Sequence, residues 1–340
     1  MSNQLRLAFL GFGNVGRALA RLLESKRAVL RAKYGVEFLI TGIATGKHGA
    51  LLDAGGIDLS AALDAVEAGR SLGDAHPGDP LGFLRAVPAD ALLESIPVNY
   101  RTGQPALSCI EAALGQGMHV ISANKGPVVH GYPHLMEVAR GRGVRYLFES
   151  AVMDGAPIFS LWRETMPAAD LKSFRGILNS TTNLILTLME QGQPYDQALA
   201  HAQSIGVAET DPSGDVLGGD AAVKVAALAT VLMDTPLTPD RVERRGIDGL
   251  SSADVQAAAR SGRRWKLICS ARRTADGIVA CVQPEQVDPS DPLFTVTGTS
   301  SAITFVTDTL PSLTITEGDP GPLTTAYGML SDLLRAAGCL

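Results

Sequence analysis

The chain of 340 residues has few cysteines, few aromatic residues and no long apolar run, and each shortage excludes a class of protein. Its four cysteines are scattered, with no CxxC pair and no cysteine–histidine cluster, so we expect reduced thiols and no zinc site. The longest apolar stretch, residues 225–233, is too short to span a membrane and begins beside Lys224. The first ten residues enter an apolar strand at once and lack the layout of a signal peptide. These absences predict a cytoplasmic protein with no membrane partner.

The chain also lacks a basic surface. Lysine and arginine number 29 against 35 acidic residues, the formal net charge is −6, and only 5% of residues are aromatic. Nucleic-acid binding needs clustered basic residues, so we expect no nucleic-acid partner. Hydrophobic residues make up 46% of the sequence, which is ample for a core, and the length predicts one large or two medium domains.

A glycine-rich turn stands directly after the first predicted strand. Residues 5–10 (LRLAFL) are apolar, GFGNVG follows, and a helical pattern continues from there. Strand, glycine-rich turn and helix together are the context that a dinucleotide-binding fingerprint requires. The first glycine permits the tight turn, the second admits a pyrophosphate and the third lets the helix pack close to the strand. The residues expected at the cofactor are Gly11, Gly13, Asn14, Val15 and Gly16.

The end of the second predicted strand indicates which nucleotide is used. An NAD site usually has an acid there to bind the ribose hydroxyls. Here TGKHG follows the strand at residues 38–44, which brings Thr45, Lys47 and His48 and no acid before Gly49. Such a loop would accept a 2′-phosphate and favours NADP(H), with NAD(H) as the alternative. An ordinary solvated loop lysine at position 47 is an equally open reading.

The first 150 residues alternate strands and helices. The predicted strands are residues 5–10, 38–44, 91–96, 119–122 and 144–149, and the predicted helices are residues 15–32, 104–116 and 132–142. Such alternation is typical of a parallel, doubly wound sheet. The glycine- and proline-bearing residues 69–80 are interpreted as a surface insertion.

After about residue 150 the pattern becomes that of an α+β domain. The predicted strands are residues 171–178, 265–270, 277–282, 303–306 and 313–316, and the predicted helices are residues 182–190, 195–204 and 220–233. An amphipathic helix at residues 324–337 is expected to pack back on the first domain. The predicted fold is α/β: a Rossmann-type dinucleotide-binding domain at 1–150 and an α+β substrate-binding and oligomerisation domain at 151–322.

The acidic segment at residues 206–229 carries the strongest chemical signal. It places Glu209, Asp211, Asp215 and Asp220 within a dozen residues, and Lys224 follows at the start of an apolar helix. Buried charge is costly unless it is paired, so this pattern indicates a site that holds a polar substrate beside a proton donor. Asp220 and Lys224 are four residues apart and should form an ion pair on one helix face. A helix-capping aspartate with a solvated pair is the alternative, but the apolar residues around Lys224 favour an enclosed, functional lysine.

In two further segments, polar residues follow directly after a predicted strand. ISANKGPV places Ser122, Asn124 and Lys125 beyond the carboxyl end of a strand, where open α/β sheets bind their ligands. Lys125 could therefore reach a cofactor or a substrate, or it could be a loop lysine. ILNSTTN places Asn179 and Thr181 at the start of a helix, where they could either cap the helix or bind substrate.

These features resemble homoserine dehydrogenases over nearly the whole chain. The matching segments, in the order of the family, are GFGNVGR, ISANKGPV, ESAVMDGAP, ILNSTTN, AETDPSGDVLGGDAAVK and TAYGMLSDLL. The acidic segment with its helical lysine is the most specific of them. The resemblance implies interconversion of L-aspartate 4-semialdehyde and L-homoserine with NADPH or NADH, on the path to threonine and methionine.

The resemblance also implies residue roles. Lys224 would be the general acid, oriented by Asp220, while Lys125 would lie near nicotinamide and substrate, and which lysine moves the proton stays open. The expected substrate-binding residues are Glu209 for the substrate ammonium, with Asp215, Thr181 and Asn179. A sodium or potassium ion would be held by backbone carbonyls in the loop of Glu149, Val152, Asp154 and Ala156. Homodimers or homotetramers are expected, and the short form of the family has no C-terminal ACT domain.

Three departures from the family pattern leave alternatives open. Ser180 stands where glycine is common, Met153 and Asp154 stand where small residues are common, and GDPGP at residues 318–322 replaces a glycine-rich turn. Ser180 could crowd the substrate pocket, and Asp154 could add a carboxylate ligand or close the cation loop. A dehydrogenase of the same fold acting on another small aldehyde or hydroxy acid is therefore a second hypothesis. A non-catalytic NADP(H)-binding protein is a third.

Overall fold

The computed structural model describes residues 3–74 and 79–340. Two compact units account for the chain: Met1–Pro157 with Gly321–Leu340, and Ile158–Pro320. In sequence, the second unit is therefore inserted into the first. Across the described residues, every helix is too short or too polar to cross a membrane.

The described part of the first unit contains a sheet of seven strands. These are β1 (Asn3–Leu10), β2 (Val36–Ala44), β3 (Gly49–Leu52), β4 (Gly73–Asp74), β5 (Ala91–Glu94), β6 (His119–Ser122) and β7 (Tyr146–Leu147). Their order is β4-β3-β2-β1-β5-β6-β7, and every neighbouring pair is parallel except β2 and β3. The central strands are buried on both faces, as parallel strands covered by helices must be.

Helices follow the strands of this sheet. They are α1 (Asn14–Tyr34), α2 (Leu59–Glu67), α3 (Pro80–Ala86), α4 (Ala106–Gly115) and α5 (Lys125–Arg142). The predicted doubly wound arrangement is confirmed, although α2 and α3 were not predicted. Because β4 lies within residues 69–80, the insertion predicted there contributes an edge strand, and residues 75–78 of that segment lie outside the described residues.

The sheet register brings four strand ends together. Leu10 of β1 pairs with Ala44 of β2 on one side and with Glu94 of β5 on the other, and Glu94 pairs with Ser122 of β6. The carboxyl ends of four parallel strands thus form one edge. Ligands of open α/β sheets bind at such an edge.

Two boundaries predicted in the first unit are wrong. The helix expected at residues 132–142 begins at Lys125, because Asn124 caps it and Pro127 falls in the first turn, where a backbone N–H needs no helical partner. The strand expected at residues 144–149 is reduced to Tyr146–Leu147. The backbone N–H of Glu149 donates to the Asp332 carboxylate at 2.7 Å instead of joining the ladder, and a 3₁₀ turn begins there.

The described second unit contains a mostly antiparallel sheet of six strands. These are β8 (Leu171–Ile177), β9 (Glu243–Arg244), β10 (Arg264–Thr274), β11 (Gly277–Val287), β12 (Ser301–Thr307) and β13 (Leu313–Glu317). Their order is β13-β12-β8-β10-β11-β9, and β9 alone runs parallel to its neighbour. The α+β character predicted for this half is confirmed.

The second unit has six helices among the described residues. They are α6 (Ile158–Ser160), α7 (Ser180–Glu190), α8 (Tyr195–Ser204), α9 (Ser213–Val216), α10 (Gly219–Leu232) and α11 (Ser252–Arg260). Helices α7 and α10 are the two that matter for the acidic segment, and both pack against β10. A 3₁₀ turn lies at Pro239–Arg241 and a π-helical turn at Leu161–Thr165. Helices α9 and α11 were not predicted.

Helix α12 (Pro322–Ala336) completes the core of the first unit. Its apolar side chains Ala326, Met329, Leu330 and Leu333 belong to the same buried cluster as Leu19 of α1. The helix therefore contributes to the core of the first unit although it follows the second unit in sequence.

Candidate active site

The turn after β1 can be formed only by glycine. Gly11 has a φ of +98°, and its backbone N–H donates to the Ala44 carbonyl at 2.9 Å. A Cβ atom at this position would lie 2.7 Å from the Ser95 carbonyl carbon. Because backbone blocks that space, the first glycine fixes β1 tightly between its neighbours.

Of the other two fingerprint glycines, Gly16 allows close packing and Gly13 leaves open space. A Cβ at Gly16 would lie 2.6 Å from the Gly11 carbonyl oxygen, so this glycine lets α1 pack directly on the turn. A Cβ at Gly13 would meet no described atom within 4 Å, so the space above the turn is open. Gly13 caps α1 without a side chain, and the first turn holds no acid among the described residues. The N–H groups of Asn14 and Val15 therefore open this helix, and the cradle fits a pyrophosphate.

The loop after β2 is short and basic, and internal hydrogen bonds hold its conformation. The Thr45 hydroxyl donates to the Gly49 carbonyl at 3.0 Å and accepts from the His48 backbone N–H at 2.6 Å. The His48 ring nitrogen Nδ1 lies 3.1 Å from the Arg70 carbonyl oxygen. Lys47 is exposed at the tip of this loop. The arrangement leaves the lysine ammonium accessible to an anion outside the protein.

Lys125 is the first residue of α5, and the turn before it is fixed by a buried network. The Asn124 side chain caps the helix by accepting from the Gly126 N–H at 3.1 Å, and its amide donates to Glu94 Oε1 at 3.3 Å. The Lys125 ammonium lies 5.6 Å from the centre of the Tyr100 ring. Burial raises the pKa of Glu94 to about 7. The sequence analysis missed Glu94, whose only signal is an acid that ends the apolar run of β5.

In the second unit, Lys224 and Asp220 form the ion pair that their spacing predicts. The Lys224 Nζ lies 3.2 Å from Asp220 Oδ2, and their side chains are only 17% and 10% exposed. The same ammonium donates to the Leu178 carbonyl, at the end of the strand that precedes α7, at 2.7 Å. The lysine is thus enclosed and anchored to two elements. Sequence reasoning did not foresee the carbonyl partner.

Asn179 connects α7 to the acidic segment. Its side-chain oxygen accepts from the Thr182 N–H at 2.9 Å and so caps α7. Its side-chain nitrogen donates to Asp215 Oδ1 at 2.7 Å and to Asp220 Oδ2 at 3.2 Å. Of the two alternatives drawn from the sequence, the helix cap is observed, and the substrate-binding role of Asn179 stays a prediction.

Two carboxylates share this enclosed space. Burial raises the pKa of Asp215, and the nearby charge of Asp220 raises it further. Hydrogen bonds from Asn179 and Thr181 act in the opposite direction. A cationic substrate group would relieve the repulsion between the two acids, which is the arrangement expected of an ammonium site.

Not every acid of the segment joins this cluster. Glu209 is exposed, its backbone carbonyl accepts from Gln203 Nε2 at 3.1 Å, and its carboxylate makes no hydrogen bond to the described residues. Asp211 accepts from the Ser213 N–H at 3.0 Å and therefore stabilises a turn. The Thr181 hydroxyl also donates to the Val207 carbonyl at 3.1 Å, which ties α7 to the beginning of the segment.

The loop expected to hold a monovalent cation lies in the first unit. Glu149 and Val152 are buried, and the Ala156 N–H donates to the Met153 carbonyl at 2.8 Å. Asp154 adopts a φ of +39°, and its carboxylate accepts from the Thr324 hydroxyl at 3.1 Å. Within residues 3–74 and 79–340 there is no group of three or more acidic, histidine or cysteine side chains suited to a metal. A cation in this loop would therefore depend on backbone carbonyls.

Known proteins similar to this chain share one name. The family model described as homoserine dehydrogenase matches residues 157–334. The NAD(+)-dependent homoserine dehydrogenase of Pseudomonas canavaninivorans is 34% identical, with 98% of this chain and 96% of that protein covered. The homoserine dehydrogenase of Methanocaldococcus jannaschii is 35% identical, with 97% of each covered.

Solved structures agree with these relatives. A hyperthermophilic archaeal homoserine dehydrogenase in complex with NADPH has a TM-score of 0.84 and 27% identity, and 99% of each chain is covered. A homoserine dehydrogenase from Thiobacillus denitrificans has a TM-score of 0.84 and 28% identity, with 98% of this chain and 73% of that one covered. Both nicotinamide dinucleotides thus occur among proteins similar to this chain.

Proposed function

Because the chain belongs to the homoserine dehydrogenase family, we propose that it interconverts L-aspartate 4-semialdehyde and L-homoserine by hydride transfer with NAD(P)(H). The observation that carries the proposal is the enclosed cluster in which Asn179 bridges Asp215 and Asp220 and Asp220 pairs with Lys224. The carboxylates suit the ammonium group of a small substrate, and the lysine ammonium beside them suits its reacting oxygen.

The first unit would hold the cofactor through the fingerprint turn. The N–H groups at Asn14 and Val15 would face the pyrophosphate, and the close packing at Gly11 and Gly16 keeps them in place. The bound nicotinamide supplies or accepts the hydride. Thr45 and Lys47, in a loop without an acid, favour a 2′-phosphate and hence NADP(H), while NAD(H) remains a usable cofactor.

Lys224 would supply the proton in the reduction direction. Hydride addition to the aldehyde carbon leaves an alkoxide, which must be protonated to give the alcohol. The pairing with Asp220 and the hydrogen bond to the Leu178 carbonyl both favour the charged ammonium, so the lysine is ready to donate. Alcohol oxidation requires the neutral amine instead, so the reverse reaction should speed up as pH rises.

The remaining polar residues would hold the substrate. Asp215, Asn179 and Thr181 already form one hydrogen-bonded group, and a substrate ammonium would offset the repulsion between Asp215 and Asp220. Glu209, whose carboxylate makes no hydrogen bond to the described residues, is proposed as a further ammonium contact. Lys125, fixed at the start of α5, is proposed to contact nicotinamide and substrate.

The loop of Glu149, Val152, Asp154 and Ala156 is proposed as a monovalent cation site formed by carbonyls. Backbone carbonyl oxygens can replace the hydration shell of a monovalent cation, so sodium or potassium suits such a donor set. Replacing KCl by choline chloride at equal ionic strength should lower activity or the thermal midpoint. Equal values in both salts would contradict a cation site in this loop.

The assembly and location of the protein are also proposals. A homodimer or homotetramer is proposed on the family resemblance, and the second unit exposes the apolar side chain of Val279 on its sheet at 45%. Light scattering coupled to size-exclusion chromatography would give the number of subunits. We place the protein in the cytoplasm, since the reaction uses soluble metabolites and nicotinamide dinucleotides.

The direct test is reduction of NADP or NAD by L-homoserine at mildly alkaline pH, followed by absorbance of the reduced nicotinamide. Rapid reduction would establish the activity, and the ratio between the nucleotides would measure the preference. If the protein binds NADP(H) but leaves homoserine unchanged, a panel of small hydroxy acids would test the altered pocket around Ser180. Binding without turnover of any of these substrates would indicate a nucleotide-binding protein.

A further inference from the structure

Glu94 is a buried acid at the ligand-binding edge of the first unit. It is the last residue of β5, its exposure is 0%, and it lies between Leu10 of β1 and Ser122 of β6. It therefore lies beside the strand that leads into the fingerprint turn and beside the strand that leads to Lys125. Burying a carboxylate costs free energy unless hydrogen bonds or an ion pair offset the loss of solvation.

Two of the three hydrogen bonds that the Glu94 carboxylate accepts come from the turn before Lys125. Its carboxylate accepts from the Ser122 hydroxyl at 2.5 Å, from the Ile96 N–H at 2.9 Å and from the Asn124 amide at 3.3 Å. The Ser122 oxygen in turn accepts from the Asn124 backbone N–H at 3.0 Å. Asn124 is thus fixed at both its backbone and its side chain.

The fixed asparagine determines where α5 begins. Its side-chain oxygen caps the helix at the Gly126 N–H, and its amide also donates to the Ile96 carbonyl at 3.3 Å. Lys125 lies between Asn124 and Gly126 in sequence, so the cap spans it. Without Glu94, the Asn124 amide would lose one of its two acceptors, and the first turn of α5 would be less well fixed.

The groups around Glu94 are neutral donors. Ser122, Asn124 and the Ile96 N–H contact it directly. Burial raises the pKa of the Cys109 thiol on α4 and of the Tyr146 hydroxyl on β7, and the charge of Glu94 raises both further. Among the described residues, no lysine, arginine or histidine forms an ion pair with it. All three hydrogen bonds are accepted by the carboxylate, so the ionised form is the one that holds the turn together.

We infer that Glu94 is a positioning residue, whose carboxylate places Lys125 for the reaction by holding the Asn124 cap of α5. The inference rests on the proposed role of Lys125 and goes beyond it, because the Glu94 carboxylate is fully buried and acts through the protein groups that it binds. Protonation of Glu94 removes an acceptor from the network. Turnover should therefore decrease as pH falls through about 7.

The test compares Glu94→Gln with a control at the opposite end of the same strand. Asp90 immediately precedes β5 and pairs with Arg6 at 2.6 Å, so Asp90→Asn also exchanges a carboxylate for an amide. We expect Glu94→Gln to lower kcat for homoserine oxidation roughly ten- to hundredfold, the cost of misplacing a group at a reacting centre. The acidic limb, which is the part of the pH dependence that lies near pH 7, should disappear in Glu94→Gln, whereas the part due to deprotonation of Lys224 should stay. Asp90→Asn should keep both kcat and the pH profile.

A second variant keeps the carboxylate and removes the Ser122 hydroxyl, which donates to Glu94 and accepts from the Asn124 N–H. The hydrogen bond from Ser122 lowers the pKa of Glu94, so Ser122→Ala should shift the acidic limb of kcat to higher pH. This variant decides the question if Glu94→Gln does not fold. A folded Glu94→Gln protein with wild-type kcat, or an acidic limb that Ser122→Ala leaves in place, would overturn the inference.

Hydrogen exchange separates this inference from the proposed reaction. If the wild-type protein does not oxidise homoserine, the proposed function fails, but the amides of residues 124–126 can still be measured. Glu94→Gln should increase their exchange at least tenfold over wild type, whereas Asp90→Asn should not. Unchanged exchange in Glu94→Gln would refute the positioning role whatever the substrate.

Discussion

At the scale of single residues, the second unit shows how one amide side chain organises a charged site. Asn179 caps α7 with its oxygen and bridges Asp215 and Asp220 with its nitrogen. The position of a strand end therefore also sets the position of the acids. Lys224 is held to the same strand end through the Leu178 carbonyl. A small shift at this strand end would move the whole cluster.

Replacement of the enclosed lysine tests its proposed role as proton donor. Lys224→Ala should lower kcat roughly 10²–10⁴-fold, the usual contribution of a general acid. NADP binding should stay nearly intact, because the fingerprint belongs to the first unit. Lys172→Ala, which removes an exposed lysine from β8 of the same unit, serves as the control and should keep wild-type turnover. Near-normal turnover in Lys224→Ala would remove that lysine from the mechanism.

The loop lysine tests the nucleotide preference. Lys47→Ala should raise the KM for NADP about tenfold and leave the KM for NAD unchanged, since one charged hydrogen bond contributes about 1.5–3 kcal/mol. Lys33→Ala removes the same charge from the last turn of α1 and should change neither value. If both nucleotides respond equally to Lys47→Ala, position 47 is an ordinary solvated lysine.

At the scale of elements, the sequence predicts the regular strands and helices well, but not the segments where side chains replace regular pairing. Strand β6 and helix α8 begin and end where their patterns predict. Helix α5 does not, because Gly126, Pro127 and Gly131 lower helix propensity in the turns that the Asn124 cap stabilises. Glu94 was missed for a related reason, since Ser122 and Asn124, which donate to it, are far away in sequence and only the sheet register brings them close.

The close approach between the candidate cation loop and α12 also follows from packing that the sequence does not display. A Cβ at Gly155 would lie 2.5 Å from the Thr324 carbonyl oxygen, and one at Gly328 would lie 2.3 Å from the Ser150 hydroxyl oxygen. Glycines on both sides therefore let the loop and the helix touch through their backbones. This contact fixes the start of α12 against the residues that follow β7.

This contact predicts opposite outcomes for two glycine substitutions. Gly155→Ala should destabilise the protein by about 1–3 kcal/mol, because backbone occupies the space of the new methyl group. Gly141→Ala, in α5 with no described atom within 4 Å of its Cβ, should stabilise it by about 0.5–1 kcal/mol. Urea unfolding of both variants gives the comparison. A neutral Gly155→Ala would mean that the loop can move away from α12 at little cost.

At the scale of the whole molecule, pH should act on stability through the buried acid of the first unit. Burial raises the pKa of Glu94 from 4.5 to about 7, so the folded protein binds more protons than the unfolded chain between these values. The free energy of unfolding should therefore fall by up to about 3 kcal/mol as pH rises through this window. Above pH 7 this contribution no longer changes.

Urea unfolding at pH 5 and pH 8 measures this dependence. The difference between the two pH values should be smaller in Glu94→Gln than in wild type, because the amide does not titrate. Asp90→Asn should keep the wild-type difference, since pairing with Arg6 lowers the pKa of Asp90 and its titration lies below the window. An identical pH dependence in Glu94→Gln and wild type would show that other groups dominate. Such a result would leave the buried carboxylate without a measurable cost.

The late position of α12 has a consequence for the newborn chain. When the ribosome has released residues up to Pro157, the dinucleotide-binding sheet exists in sequence but lacks Ala326, Met329, Leu330 and Leu333 from its core. Those side chains arrive only after the whole second unit has been synthesised. The second unit is continuous in sequence and can therefore fold during translation. The first unit cannot complete its core until α12 is synthesised, so part of its apolar surface stays exposed. Chaperone capture is then expected mainly on nascent chains that have passed residue 157 and have not yet exposed α12.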